Sequence, residues 1–241
     1  MLLFPTPYIL AGAPPAGLAG YNTRIVRKSS ATSQTFGGAG VWEIDVVAGE
    51  LITATMHAVG NSTIINATNF LLSLGGNAMN NAVNSATTGS GVFPGSAGFW
   101  LVAPSTGTLA LAADVAVSAR ACGLILRRIT GFDPTTPIGM CDAPSKLNAD
   151  AATLPGGAIT VGRDGNLIIG DACTKAGTAT TASSTTLGNM GYDTTGASTS
   201  NDLGFGFGES LVPTAGTFTP DWTFDVTARM SAAVLQINVA P

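Results

Sequence analysis

His57 is the chain's only histidine, so any imidazole acid–base or nucleophilic chemistry would have to run through it. A Ser-His-Asp arrangement needs that ring in a cleft beside a positioned acid. The same-parity neighbours of His57 are Thr53 and Thr55, which places it on a polar strand face with no triad around it. Glu43 and Asp45 stand two residues apart and would project from one strand face about 7 Å from each other. Paired carboxylates can cleave glycosidic bonds. A solvated polar face produces the same pattern, and nothing nearby marks a cleft.

Asp164-Gly165-Asn166 begins like a calcium loop but runs on as Leu-Ile-Ile-Gly, without the remaining ligands. It reads as an Asp-Gly hairpin turn between Val161 and Leu167. Gly204-Phe205-Gly206-Phe207-Gly208 looks like a phosphate loop, yet no helix follows and the Lys-Ser/Thr pair is missing. Period-two Gly and Phe predict a strand whose glycine face lies against another backbone. Cys122, Cys141 and Cys173 form an odd set without metal-like spacing. Cys122 falls in an apolar run, so a buried free thiol and a reducing folding compartment are expected. The sequons at Asn61 and Asn66 matter only in a glycosylating host. Trp42 and Trp222 sit on apolar parities, leaving Trp100 and Tyr192 as the aromatics available to a ligand. No catalytic residue, metal ligand or cofactor-binding residue is assigned, and the expectation is a non-enzyme.

These residues need strands to position them. From Val41 onward the hydrophobic period is two: Trp42, Ile44 and Val46 alternate with Glu43 and Asp45. Further strands are predicted at Leu51–Val59, Phe70–Leu74, Phe99–Ala103, Leu109–Val117, Cys122–Ile129, Ile159–Val161, Leu167–Cys173, Leu203–Phe207, Phe218–Val226 and Ala233–Val239. Trp222, Phe224 and Met230 share one parity, while Ala233, Leu235 and Ile237 take the other, which predicts a turn or bulge near Ser231. Many short strands separated by turn residues indicate a sandwich or barrel. The expected fold is all-β, an antiparallel two-sheet sandwich over residues 37–241. Residues 1–36 are expected as an extended arm, with Leu2, Leu3, Phe4, Tyr8, Ile9 and Leu10 as apolar anchors for a partner.

The 241 residues suffice for a sizeable core, yet only 10% are charged, against about 25% in ordinary globular proteins. Lysine occurs three times, at Lys28, Lys146 and Lys175. Lys and Glu are depleted where proteins bury surface against partners, so a coat poor in both suits assembly. The net charge is −4, and the largest basic cluster is Arg24-Ile25-Val26-Arg27-Lys28. That excludes the clustered footprint of a nucleic-acid binder. No apolar run reaches the roughly 18 residues of a membrane span. Pro5 and Pro7 interrupt the first apolar stretch, which also lacks a basic start, so a secretory signal is not expected.

From about Leu109 to Val239 the chain passes through "RACGLILRRITGFDPTTPIG", the strand "GNLIIGDAC", a long Gly/Ser/Thr loop and "DWTFDVTARMSAAVLQINVAP". This grammar resembles the jelly-roll-like β-sandwich domains of tailed-bacteriophage virion proteins. The resemblance implies a virion component folded in the host cytoplasm: a capsid decoration (cement) protein first, otherwise a tail or fibre module. It implies other virion proteins, such as the major capsid or tail protein, and copies of itself as partners, and it carries no catalytic residues. The alternative from another class is a carbohydrate-binding module that attaches to a host-surface glycan.

Overall fold

The computed structural model describes residues 21–29, 35–36, 43–60, 70–85, 94–115, 119–175, 181–194 and 203–241. Every regular element among them is a strand. In chain order these are β1 (Tyr21–Ser29), β2 (Thr35–Phe36), β3 (Glu43–Val46), β4 (Leu51–Gly60), β5 (Phe70–Leu74), β6 (Asn77–Ala78), β7 (Asn80–Asn84), β8 (Pro94–Val102), β9 (Gly107–Val115) and β10 (Ala119–Ile129). There follow β11 (Ile138–Asp142), β12 (Ser145–Pro155), β13 (Ile159–Val161), β14 (Asn166–Thr174), β15 (Ala182–Ser183), β16 (Gly188–Thr194), β17 (Gly204–Val212), β18 (Gly216–Phe218) and β19 (Asp221–Ile237).

The protein is all-β and its strand pairs are antiparallel. A middle sheet runs β1-β10-β4-β8-β7. An outer sheet runs β2-β9-β5-β6, with β3 continuing the edge along β9. A third sheet runs β11-β19-β14-β17-β16, with β12 and β15 also on β19. The short pair β13-β18 stands apart. Residues 21–129 therefore make a two-sheet sandwich by themselves, and residues 138–241 add a sheet that the sequence expectation lacked. Residues 21–29 and 35–36, expected within the arm, are paired into the chain's own sheets.

The middle sheet is covered on both faces. One face of β4 gives Ile52, Ala54, Met56 and Ala58 to a core shared with Ile44 of β3, Phe70 and Leu72 of β5 and Leu111 of β9. Its other face, with Leu51 and Val59, packs against the third sheet through Ile169, Leu235, Cys173 and Phe205. Each such side chain contributes roughly 1.5–3 kcal/mol on burial. Ile44, Leu124, Leu126, Ile168, Trp222, Phe224, Leu235 and Ile237 are buried, as their parities predict. Trp42, expected beside them, lies outside the described residues.

Two expectations about local structure are corrected. The side-chain alternation of β19 does not flip at Ser231. The strand passes through that residue in unbroken register with β14, Cys173 opposite Ser231 and Ala172 opposite Ala232. Trp222, Phe224, Met230, Ala232 and Val234 all face one core, and Leu235 and Ile237 face another. The apparent flip arises because the second face of β19 becomes buried only where the middle sheet covers it. Asp164-Gly165 is indeed a turn, with φ +79° at Gly165 and the Asp164 carboxylate accepting from the Ala215 amide at 2.6 Å. It is not a hairpin, because β13 pairs with β18 while β14 pairs with β17 and β19.

Candidate functional site

Chemistry-bearing side chains concentrate in the seam between the middle and third sheets. Alternation along β10 directs Ile125 and Arg127 into that seam, and alternation along β14 directs Ile169, Asp171 and Cys173 toward them. Arg127 donates from Nη1 and Nη2 to the two oxygens of Asp171, each at 2.6 Å, and from Nε to Glu209 of β17 at 2.6 Å. Thr55 Oγ1 donates to Asp171 as well. Arg127 and Asp171 are 0% exposed and Glu209 is 2% exposed. An unpaired ion at this depth would cost several kcal/mol; the fork geometry and shared hydrogen bonds offset that cost.

Beside the ion cluster lies a neutral polar one. His57 Nδ1 and Ser96 Oγ are hydrogen-bonded at 2.7 Å. Ser96 reaches Ser231 at 2.7 Å, and Ser231 reaches the Cys173 sulfur at 3.3 Å. The His57 ring tilts against Phe205, 5.8 Å between centroids. Burial, reinforced by the nearby Arg127 charge, lowers the His57 pKa to about 3. Burial raises the Cys173 thiol to about 11, against the hydrogen bonds from Ser231 and Ser96. The ring is thus a neutral imidazole and the sulfur a thiol at neutral pH. Both are sealed from solvent. An inaccessible base and a protonated sulfur cannot serve nucleophilic chemistry. The expected position of His57 on a polar face is corrected: the face is polar in composition but lies between two sheets.

The other candidates disperse. Glu43 and Asp45 are exposed on one face of β3, and Asp45 accepts from Thr108 Oγ1 at 2.6 Å, as on a solvated face. In β17, Phe205 and Phe207 fill the seam. On the opposite face a Cβ at Gly206 would meet Ala182 at 2.6 Å, and one at Gly208 would meet the Met190 sulfur at 2.4 Å. The glycine face therefore lies under the side chains of β15 and β16 more than under bare backbone. Trp100 packs in the seam and Tyr192 against the core on the far side of the third sheet. Two aromatics on opposite faces of one sheet make no common platform for a sugar. Cys122 and Cys173 are buried, Cys141 is half-buried, and no two of the sulfurs are bonded. The arm anchors Leu2, Leu3, Phe4, Tyr8, Ile9 and Leu10 and the sequons at Asn61 and Asn66 lie outside the described residues.

Sequence reasoning missed the Arg127–Asp171–Glu209 cluster. A signal was present. In Cys122–Ile129 both parities are apolar, so the strand is buried on both faces and one of Arg127 and Arg128 must be buried with a partner. Arg128 instead forks onto Glu50 near the surface, at 2.8 and 2.9 Å. No family model matches the chain, and neither a curated protein nor a solved structure matches it.

Proposed function

We propose that the chain is a non-catalytic structural protein of a bacteriophage virion, a capsid decoration protein in the first instance and otherwise a tail or fibre component, built on a jelly-roll-like sandwich. The observation that carries the reading is the order in which β1 to β10 are laid down. The chain places β1 in the middle sheet, β2 and β3 in the outer sheet, β4 in the middle, β5 and β6 in the outer, β7 and β8 in the middle, β9 in the outer and β10 in the middle. Such alternation between two antiparallel sheets supports the jelly-roll-like reading, a pattern that recurs in viral capsid and lectin domains. It lies in residues 21–129, whereas the resemblance to virion proteins rests mainly on the strands from β9 onward.

The surface supports assembly over catalysis. Of three glutamates, Glu50 and Glu209 are buried, so the described exterior carries little of a residue that is depleted at protein interfaces. The seam joins the sandwich to the third sheet through apolar and ionic contacts, as suits a protein that bears load. The segment 1–20 is uncharged and apolar, and its anchors are proposed to dock on another virion protein.

Density-gradient particles from the source strain, probed with serum against this chain, test the reading. The chain is expected to band with particles, and a version lacking residues 1–20 to fold normally but leave the particle fraction. Recovery only among free proteins at the top of the gradient would overturn the virion assignment. Retardation of that free protein in gels containing host-surface polysaccharide would favour the carbohydrate-binding alternative.

A further inference from the structure

Among the described residues, one lateral side of the sandwich carries two strand edges without a pairing partner, and the sequences of the two strands are opposite in charge. The single residue Met79 joins β6, an edge of the outer sheet, to β7, an edge of the middle sheet. Those two edges therefore lie one above the other. The opposite edges, β1 of the middle sheet and β2–β3 of the outer, must then share the other side. Among the described residues β1 pairs only with β10, and β3 only with β9. The nine residues of β1 hold Arg24, Arg27 and Lys28 and no acid. The four residues of β3 hold Glu43 and Asp45, both exposed, and no base.

The strands also run in opposite senses. Tyr21 is level with Ile129, which is level with Leu51, so β1 starts at the end where β4 starts. Val46 closes β3 at that same end, joined to Leu51 by the turn at Ala48-Gly49. Thus β1 leaves the end at which β3 arrives.

We propose that this side is a two-fold interface between copies of the chain, in which β1 of each adds antiparallel to β3 of the other. A two-fold axis parallel to the strands, midway between the sheets, brings the middle sheet of one copy into line with the outer sheet of the next. It leaves strand sense unchanged, so β1 meets the partner's β3 antiparallel, the sense these sheets use throughout. The axis generates both contacts at once, which closes the pair. Pairing of β1 with β1, or of β3 with β3, would set like charges opposite each other, the device by which natural sheets block edge association. The β1–β3 combination is the one the charges permit. Individual exposed ion pairs contribute little; the backbone ladder supplies the attraction, and the charges select partner and register. The inference deepens the assembly role in the proposed function by giving a second copy of the chain as the partner, and it rests on that reading only for its place in a larger particle. Dimerisation in solution is read without any particle, so each reading can fail alone.

Sedimentation of the full-length chain tests it. The wild type is expected to be dimeric at low salt. The dimer should weaken at least about tenfold between about 10 mM and about 1 M salt, as the screening length falls from roughly 30 Å to 3 Å. A wild-type monomer throughout would overturn the proposal, whatever the variants do. Two charge reversals, R24E/R27E/K28E and E43K/D45K, should each give a monomer with a wild-type circular dichroism spectrum. Mixed in equal amounts they should form a heterodimer, because each supplies the charge that the other needs. A mixture that stays monomeric, or reversals that leave the wild-type dimer intact, would overturn it.

Discussion

The guanidinium of Arg127, from the middle sheet, forks onto both carboxylate oxygens of Asp171, from the third sheet, at 2.6 Å each and with both side chains fully buried. This pair joins the sandwich of residues 21–129 to the strands that follow it. Its energetics are asymmetric. Removing one partner leaves a charge stranded, whereas removing the whole group leaves only volume to fill.

Arg127→Met alone is expected to cost about 3–5 kcal/mol in urea unfolding, because Asp171 and Glu209 are left buried without it. Combining it with Asp171→Leu and Glu209→Leu should recover most of that loss. If the triple variant is no more stable than the single, the stranded-charge explanation fails.

Phe205 lies over Gly123, where a Cβ would come within 2.2 Å of the ring's Cζ. Because the ring is wedged between sheets, it cannot move aside. Gly123→Ala should destabilise by about 1–3 kcal/mol through overpacking, and Phe205→Leu in the same chain should restore part of it. An additive double variant would show that the two sites are not in contact.

His57 sits at about 3 in the folded protein against 6.5 when free. The folded-state value is the lower one, so the unfolded chain takes up the proton first as pH falls. Stability from the neutral ring is present above 6.5 and declines toward pH 3, with a slope approaching about 1.4 kcal/mol per pH unit. His57→Asn, which can keep a hydrogen bond to Ser96, should flatten this limb. Denaturant midpoints between pH 7 and 4 give the slope, and an unchanged slope in the variant would refute the assignment.

Asp221 gathers the turn at 184–187: its Oδ1 accepts from Thr186 Oγ1 at 2.7 Å, Ser184 Oγ at 2.9 Å and the Thr185 amide at 3.0 Å. Burial pushes this carboxyl up, but the hydrogen bonds from Thr186, Thr185 and Ser184 outweigh it and hold it below its ordinary value. With the folded value depressed, its contribution is present above the unfolded pKa of 3.8 and is lost as pH falls through the folded one. Asp221→Ala should make this turn a site of limited proteolysis at neutral pH. Wild-type resistance in the variant would mean that the turn is held by Leu187 packing alone.

The thiols should be silent in the native state. Burial raises Cys122 well above its ordinary value and Cys141 to about 11. A thiol reagent at neutral pH is expected to react slowly before denaturation and with three groups after it. A single reactive group after denaturation would reveal a disulfide.

The period-two alternation of Ile52, Ala54, Met56 and Ala58, and of Trp222 and Phe224, made those strands and their core faces readable from residue order alone. Side-chain direction along a strand is a local property with a fixed period. Asp164-Gly165 marked its turn for a similar reason, because Gly supplies the positive φ. What covers a strand's second face is not local. Thr53, Thr55 and His57 have the composition of a wet face, and only the third sheet makes them dry. The partners of Arg127 lie 44 and 82 residues further along the chain, on strands that no alternation connects to β10. Its burial therefore became visible only when the sheets were stacked, because the desolvation of a polar group depends on which distant backbone closes over it.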